Sequence, residues 1–227
     1  MLMHIPNVLD ADQLQACRTQ LAQASWADGR ITAGTQAAAV KNNSQLPEDS
    51  DVAQRLRRIV LEALSRNALF FSAALPKRIY PPLFNHYGGS RNAFGNHVDN
   101  AIRTHPLTAT HVRTDLSFTL FLCAPDEYDG GELVIEDGIA GHGIKLPAGD
   151  LLLYPAHSLH RVEPVTSGQR LACFSWIESL VRASAQRSIL HELDMSILGL
   201  RAQHGDTAES VRLTHCYHNL MRMWADC

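Results

Sequence analysis

The sequence lacks several features that mark particular classes of protein. No apolar run approaches the ~18 residues of a membrane-spanning helix. The amino-terminal stretch MLMHIPNVLDADQ has acidic residues where a signal peptide has an apolar core. The net charge is only -3, with both signs mixed along the chain, which indicates no charged surface for nucleic acid or an anionic membrane. We therefore expect neither of these partners.

Cysteine is sparse and follows no pattern. The five residues Cys17, Cys123, Cys173, Cys216 and Cys227 form an odd set without any CxxC pair, which argues against a disulfide framework or a zinc ribbon. Such a set suits a reducing compartment, so we expect a cytoplasmic location. The 227 residues are 45% apolar and 19% charged, enough for one large or two small globular domains.

The texture of the chain changes twice. Residues 1–77 are predicted to be an N-terminal helical segment packed on the core, with helices in LDADQLQACRTQLAQASW and DVAQRLRRIVLEALSRNALFF. Residues 78–178 consist of short apolar runs, such as TDLSFTLFLC and QRLACFSWIES, separated by Gly, Pro and Asp, which is typical of a β-sandwich or barrel. Residues 179–227 return to helical periodicity and form a C-terminal extension. The prediction is a mainly β fold with flanking helices.

A histidine and an aspartate stand two positions apart in GNHVDN, as His97 and Asp99. On an extended strand, alternate side chains project to the same face, so the imidazole and the carboxylate can reach one common atom. A hydrogen-bonded pair in a surface turn would have the same spacing. The pair therefore needs a third partner before it indicates a metal site.

Candidates for the third partner lie in LLLYPAHSLHRVEPVTSGQRLACFSW, which contains His157 and His160. His157 falls in a predicted turn, whereas His160 opens an alternating apolar pattern, so we prefer His160 as the ligand. Two imidazoles and one carboxylate on a jelly roll leave coordination positions open, an arrangement found in non-haem Fe(II) oxygenases. Arg170, ten positions further on, offers a fork of donors that suits the carboxylate of a dicarboxylic co-substrate.

Together, HVD, SLHRVEPV and GQR resemble the motifs of the Fe(II)- and 2-oxoglutarate-dependent dioxygenases, in particular the prolyl-4-hydroxylase-like group and its bacterial PKHD-type hydroxylases. The similarity extends from about Tyr80 to Trp176, and GGELVIED and AGDLLLYPAHSLHRVEPVT are the stretches most like the bacterial group. The segment HIPNVLD and the helical tail are also similar. The resemblance implies a double-stranded β-helix core of the jelly-roll or cupin-like type.

By position, the resemblance implies that His97, Asp99 and His160 bind Fe(II) and that Arg170 anchors the remote carboxylate of 2-oxoglutarate. It implies hydroxylation of a small-molecule or peptidyl substrate by dioxygen, with release of succinate and CO2, and it raises L-ascorbate as a further cofactor. The substrate itself is not specified, because fold and cofactor do not determine it. The helical tail is compatible with capping the barrel or with a homodimer contact.

Other residues of the co-substrate pocket are suggested by the same resemblance. Tyr87 matches a tyrosine that lines this pocket in similar enzymes. Related enzymes often place a tyrosine hydroxyl beside the anchoring arginine, but here Phe121 takes that place and cannot donate. Ser117 or Thr119, on the same strand face as Phe121, is expected to supply the hydroxyl instead.

The segment after the HxD pair, NAIRTHPLTATHVRTD, suggests a lid over the metal. Its four basic or titratable side chains, Arg103, His105, His111 and Arg113, lead to the hypothesis that the substrate is acidic. Two rival functions remain open: a cupin-like metalloenzyme that does not use 2-oxoglutarate, and a non-catalytic jelly-roll binding module. Arg170 argues against the first and the full ligand set against the second.

Overall fold

A computed structural model describes residues 2–105, 108–136 and 141–227, except for the side chain of residue 142. The helices in these ranges are α1 (Ala11–Ala22), α2 (Thr35–Val40), α3 (Asp51–Arg66), α4 (Ala68–Ala74), α5 (Ser184–His204) and α6 (Ala208–Trp224). The first nine strands are β1 (Met3–Ile5), β2 (Ala27–Asp28), β3 (Lys41–Asn42), β4 (Ser44–Gln45), β5 (Pro76–Ile79), β6 (Leu83–Tyr87), β7 (Ala93–His97), β8 (Ile102–Thr104) and β9 (His111–Arg113). The remaining strands are β10 (Leu116–Phe121), β11 (Tyr128–Gly130), β12 (Leu133–Glu136), β13 (Gly141–Ile144), β14 (Leu151–Pro155), β15 (His160–Val162), β16 (Val165–Gly168) and β17 (Arg170–Ser179).

The strands form two main antiparallel sheets. The larger sheet has the order β1-β14-β10-β17-β6-β4-β2, with β5 also paired to β17, and the smaller has the order β13-β12-β15-β7-β3. Two two-stranded sheets, β8 with β9 and β11 with β16, complete the strands of the described residues. This is the jelly-roll fold with flanking helices that the sequence predicted.

The larger sheet separates two apolar regions. On β10, Leu116, Phe118 and Leu120 face the helices, because alternate side chains of a strand project to opposite faces. Phe121 belongs to the apolar cluster inside the barrel. The same alternation on β17 turns Arg170, Phe174 and Trp176 to one face. Side chains inside the barrel therefore come from every second residue of these strands.

Helices α1 and α3 pack on the outer face of the larger sheet. Asp10 caps α1 by accepting a hydrogen bond from the Gln13 backbone, a common role of aspartate at the start of a helix. Along α3, the residues Leu56, Val60 and Ala63 are buried at helical spacing. On α1, Cys17 and Leu21 are buried one turn apart, so both helices direct an apolar face toward the sheet.

The second predicted helix is wrong in its extent. The sequence pattern suggests one continuous helix to Phe71, but the structure contains α3 and α4 with a break at Asn67. Asn67 has an extended backbone, and its side chain accepts a hydrogen bond from the Phe70 backbone at 2.9 Å. Asparagine competes with helical hydrogen bonds in this way, so it ends one helix and caps the next.

Four short strands within the first 77 residues, β1 to β4, are part of the two sheets of the core. Strand β3 pairs with β7 of the smaller sheet, with Lys41 opposite Phe94. Three residues later, β4 pairs with β6 of the larger sheet, with Gln45 opposite Asn85. The chain therefore passes from one sheet to the other and closes one side of the barrel mouth, in addition to supplying helices.

The C-terminal helices pack on the core through an apolar cluster of Leu75, Val181 and Leu190, against which Tyr217 and Trp224 are packed. Ionic contacts also hold the end of the chain, since Asp226 lies 3.6 Å from the ammonium of Lys77. In the described part of the chain, none of the helices combines the length and apolarity needed to cross a membrane.

Candidate active site

Three potential metal ligands meet inside the barrel. His97 ends β7 and is the register partner of His160, which opens β15. Asp99 follows β7 after one residue. The ligand atoms of these three residues all lie within 4.8 Å of one another, and His160 Nε2 is 3.8 Å from an Asp99 oxygen. No other group of this kind occurs among the described residues.

Hydrogen bonds fix the orientation of both imidazoles. His97 Nδ1 lies 2.8 Å from the carbonyl oxygen of Gly95, and His160 Nδ1 lies 3.0 Å from the carbonyl oxygen of Ser158. A carbonyl can only accept, so each Nδ1 carries the proton and donates it. Each Nε2 is therefore unprotonated and available to a metal, and both rings are held by second partners of the kind usual for metal-binding histidines.

Asp99 is held by a third residue. The Ser117 hydroxyl donates a hydrogen bond of 2.6 Å to Asp99 Oδ2.

Burial and the neighbouring His160 imidazole lower the pKa of His97 to about 4. The ring is therefore neutral at pH 7, which is the form that binds a metal. Two neutral imidazoles and one carboxylate fit an Fe(II) ion that keeps open coordination positions.

Arg170 is buried near the Tyr128 hydroxyl and has no ion-pair partner among the described residues. Its side chain is 1% exposed, and its guanidinium lies 5.1 Å from the ring of Tyr87 and 5.4 Å from that of Phe121. All three guanidinium nitrogens lack a hydrogen-bond partner among the described residues. An isolated buried cation costs several kcal/mol of folding free energy. The position thus fits a bound carboxylate that would supply the missing charge and acceptors.

The backbone before Arg170 is fixed by a glycine. Gly168 has φ of +72°, and a Cβ at this residue would lie 2.2 Å from the carbonyl oxygen of Glu127. Only glycine adopts this conformation in the space available. The turn that begins β17, and with it the position of Arg170, therefore depends on Gly168.

The other residues predicted for the co-substrate pocket also face the barrel interior. Tyr87 is the register partner of Arg170, and its hydroxyl accepts a hydrogen bond of 3.3 Å from Asn85 Nδ2. Ser117 and Thr119 line the same cavity. The Ser117 hydroxyl is used by Asp99 rather than by Arg170, whereas Thr119 contacts Tyr154.

Tyr128 and Tyr154 are pocket residues that sequence reasoning missed. Burial raises the pKa of Tyr154, and its contact with the Thr119 hydroxyl opposes that rise. Burial also raises the pKa of Tyr128, with the positive charge of Arg170 opposing it. The Tyr128 hydroxyl is buried without a hydrogen-bond partner in the described residues. Tyr128 lies outside the quoted motifs, and Tyr154 lies inside one but at a position to which the motif assigns no role. The folded arrangement therefore reveals both residues as part of the pocket.

The triad and Arg170 line one cavity. Part of its wall comes from the first 77 residues, including Thr32, Ala37 and Lys41. Lys41 is 5% exposed, and its ammonium donates hydrogen bonds of 3.1 Å to Thr32 Oγ1 and to Gln45 Oε1. Sequence reasoning missed this residue because no spacing rule connects it to the triad.

Burial, together with the positive charge of Arg103, lowers the pKa of Lys41 from 10.5 to about 8. Between pH 8 and 10.5 the unfolded chain binds more protons than the folded one, so this group makes stability rise with pH in that window. At pH 7 the burial of the charged Lys41 lowers the free energy of unfolding by its full amount. The difference between a pKa of 10.5 and one of about 8 corresponds to about 3 kcal/mol at most.

We therefore expect Lys41→Met to raise the free energy of unfolding at pH 7 by about 1–2 kcal/mol, because the lost hydrogen bonds offset part of the gain. The difference from the parent protein should shrink as pH rises from 8 to 10. Urea unfolding at pH 7 and pH 9.5 measures both, with the exposed Arg66→Met as a charge control. A variant less stable than the parent at pH 7 would contradict the assignment of Lys41 as an unpaired buried cation.

The predicted lid is a hairpin of β8 and β9, and its two arginines differ in environment. Arg103 lines the cavity, with its guanidinium 4.0 Å from the ring centre of Trp176 and 5.0 Å from that of Tyr80. Arg113 is instead bound by Asp115 at 2.8 Å and does not line the cavity. Only Arg103 is placed to meet a substrate.

Comparison with known proteins gives the family. The model of the 2OG-Fe(II) oxygenase superfamily matches residues 82–178, and that of the PKHD-type hydroxylase C-terminal domain matches residues 185–226. PKHD-type hydroxylases from Saccharophagus degradans and Variovorax paradoxus are 57% and 56% identical to this chain, over 99% and 100% of both sequences respectively.

Solved structures support the same fold at low sequence identity. A prolyl hydroxylase from Trichoplax adhaerens, in complex with a hypoxia-inducible-factor peptide fragment, has a TM-score of 0.57 at 16% identity, covering 83% of this chain and 86% of the other. A Pseudomonas putida prolyl-4-hydroxylase has a TM-score of 0.51 at 18% identity, covering 78% and 92%. Together with the sequence relatives, these matches favour the 2-oxoglutarate oxygenase over the cupin-like enzyme and the binding module. The chain belongs to the PKHD-type hydroxylases of the 2OG-Fe(II) oxygenase superfamily and is an Fe(II)- and 2-oxoglutarate-dependent dioxygenase.

Proposed function

We propose that His97, Asp99 and His160 bind the Fe(II) ion of this hydroxylase and that Arg170 binds the remote carboxylate of 2-oxoglutarate. One observation carries the proposal: a triad within 4.8 Å shares a cavity with a buried guanidinium that lacks a partner in the described residues. When bound, iron and 2-oxoglutarate supply the oxidising chemistry, in which dioxygen is consumed, succinate and CO2 are released and a C–H bond of the substrate is hydroxylated.

The protein's own contribution is orientation. The carbonyls of Gly95 and Ser158 accept the Nδ1 protons and so direct both Nε2 atoms toward the metal position. Ser117 donates to Asp99 Oδ2 and so fixes the orientation of the carboxylate beside His160. None of these groups needs to transfer a proton during the reaction. Their role is to hold the iron with positions left open for co-substrate and dioxygen.

The co-substrate end of the cavity is apolar apart from a few hydroxyl groups. Tyr87, Phe121 and Leu152 belong to the buried cluster around Arg170, which excludes water and strengthens a guanidinium–carboxylate pair. We assign Tyr87 and Thr119 to the wall of the 2-oxoglutarate site. Ser117 belongs to the metal end by its bond to Asp99.

Substitutions on β10 separate the two ends. Ser117→Ala removes the hydrogen bond to Asp99 and is expected to weaken Fe(II) binding about 10–100-fold, as loss of such a second partner usually does. Thr119→Val, on the same strand face, should leave iron affinity within about twofold. It should raise the KM for 2-oxoglutarate by a few-fold, because about one hydrogen bond to the co-substrate is lost. Anaerobic Fe(II) titration and succinate assays measure the two effects. Equal iron affinities in Ser117→Ala and the parent would remove Ser117 from the metal end.

The proposed activity is tested by an unbiased metabolite screen. Purified enzyme with Fe(II), 2-oxoglutarate and L-ascorbate is incubated with fractionated metabolites and peptides, and succinate release is followed together with dioxygen uptake. Both are expected in equal amounts, stimulated by the fraction that contains the substrate. Dioxygen uptake without succinate would instead support an oxygenase that does not use 2-oxoglutarate.

We also propose a three-part organisation of residues 1–77, 78–178 and 179–227, in which the first part completes the barrel mouth and the last caps the core. Exposed apolar residues on α5 and α6, including Ile189, Leu198 and Val211, support a homodimer contact there. All five cysteines are free, which supports a cytoplasmic location. The net charge of -3 supports the absence of nucleic-acid and membrane partners.

A further inference from the structure

Two cations line the cavity without a carboxylate partner in the described part of the chain. Lys41 and Arg103 both line the cavity, and neither forms an ion pair within 4.0 Å among the described residues. In the described ranges, the hydrogen bonds of Lys41 go to the neutral oxygens of Thr32 and Gln45. Arg103 reaches the carbonyl oxygen of Thr32 at 3.4–3.5 Å and otherwise stacks on aromatic rings.

The two cations are fixed relative to each other by Thr32. The hydroxyl of Thr32 accepts from Lys41, and its carbonyl oxygen accepts from Arg103. The charges are close enough for Arg103 to lower the pKa of Lys41. Holding two like charges together in the wall of a largely buried cavity is unfavourable unless an anion lies between them. Asp99 is the acidic side chain of the cavity wall, and it belongs to the proposed iron triad.

This pair is distinct from the proposed co-substrate anchor. Arg170, Phe174 and Trp176 lie on the same face of β17, with Lys41 over the ring of Phe174 and Arg103 over that of Trp176. At about 3.3 Å per residue, Phe174 is about 13 Å and Trp176 about 20 Å from Arg170 along the strand. A five-carbon co-substrate held by Arg170 therefore leaves the Lys41–Arg103 end of the cavity to another molecule.

We infer that Lys41 and Arg103 form the specificity site for the substrate and bind a carboxylate of a small organic acid. The ammonium and the guanidinium donate to the carboxylate from two sides, and the rings of Phe174 and Trp176 contact the adjacent carbon chain. The reacting C–H bond then lies between this anchor and the iron triad. The inference rests on the proposed function, since it assumes that Arg170 is occupied by 2-oxoglutarate.

The test uses anaerobic enzyme loaded with Fe(II) and saturating 2-oxoglutarate, so that no turnover occurs. The probes are straight-chain monocarboxylates from propionate to octanoate and 3-phenylpropionate, each paired with its primary amide, and calorimetry measures their binding. At least one acid is expected to bind ten-fold or more tightly than its amide. Lys41→Met and Arg103→Met should each remove most of that preference, whereas Lys41→Arg and Arg103→Lys should restore part of it. The exposed Arg66→Met should retain it fully.

The outcomes separate the two proposals. The visible absorption band of the Fe(II)–2-oxoglutarate complex is recorded first, and its titration should give a 2-oxoglutarate Kd within twofold of the parent value in Lys41→Met and Arg103→Met. Absence of the band in the parent protein would overturn the proposed function. A normal band with no acid preferred over its amide, or a preference that survives both methionine substitutions, would overturn the carboxylate site alone. Loss of the band in the variants would instead place the pair in the co-substrate site and also overturn it.

Discussion

Replacing His160 by alanine is expected to lower succinate release from 2-oxoglutarate by at least about a thousand-fold, because a site with two remaining ligands holds iron weakly and in the wrong geometry. His157→Ala is the matched control, since His157 is an exposed turn residue three positions earlier. It should leave succinate release within about twofold, as is usual for surface positions without a bound partner. Initial rates at saturating Fe(II) measure both variants.

The pair of variants also tests how iron is held. Fe(II) titration of the His160→Ala protein should show weak or no binding, while its circular dichroism and urea unfolding remain close to those of the parent. Turnover that survives His160→Ala and is lost in His157→Ala would reverse the ligand assignment. The metal ligand would then be His157 in the turn rather than His160 on the strand.

Arg170→Met is the second substitution with a large expected effect. Removing one member of a buried hydrogen-bonded charge pair costs 2–5 kcal/mol or more of binding, so the KM for 2-oxoglutarate should rise by on the order of a hundredfold or more. Fe(II) affinity should remain within about twofold, because Arg170 is not among the triad residues. Arg170→Lys should recover only part of the loss, since an ammonium lacks the planar fork. Succinate assays over a range of 2-oxoglutarate concentrations provide the values.

The same substitution should have an opposite effect on the free protein. Arg170 is buried without a partner among the described residues, so methionine at this position is expected to raise the melting temperature without ligand. The increase in melting temperature that 2-oxoglutarate produces in the parent should be lost. An unchanged KM together with a lowered melting temperature would show that Arg170 has a structural role only.

The metal triad is the part of the site most accessible from sequence. The HxD spacing and the alternating pattern after His160 reflect strand geometry, which is local, and the structure brings these three residues together. The turn signals before His157 distinguished it from His160 as a candidate ligand. His157 lies in a turn, as expected. The family resemblance added Arg170, whose burial and missing partners the sequence alone does not reveal.

The substrate end of the cavity was much less accessible. Lys41 reaches the cavity because β3 pairs with β7, a contact between residues more than fifty positions apart that no periodicity indicates. The hypothesis of a basic lid named Arg103 and Arg113 equally, yet Asp115 engages Arg113. Ion-pair partners are chosen by tertiary packing, so composition of a loop does not say which charge faces a ligand. The break at Asn67 was missed because its cap competes with a strong apolar periodicity.

The central claim is that His97, Asp99 and His160 hold iron in a form to which 2-oxoglutarate binds directly. The most direct measurement is the visible absorption spectrum after anaerobic addition of Fe(II) and then 2-oxoglutarate, with Asp99→Ala as the comparison. The account predicts a metal-to-ligand charge-transfer band in the parent protein that needs both additions and is absent from Asp99→Ala. A parent protein without the band at saturating Fe(II), or a band of equal intensity in Asp99→Ala, would contradict it.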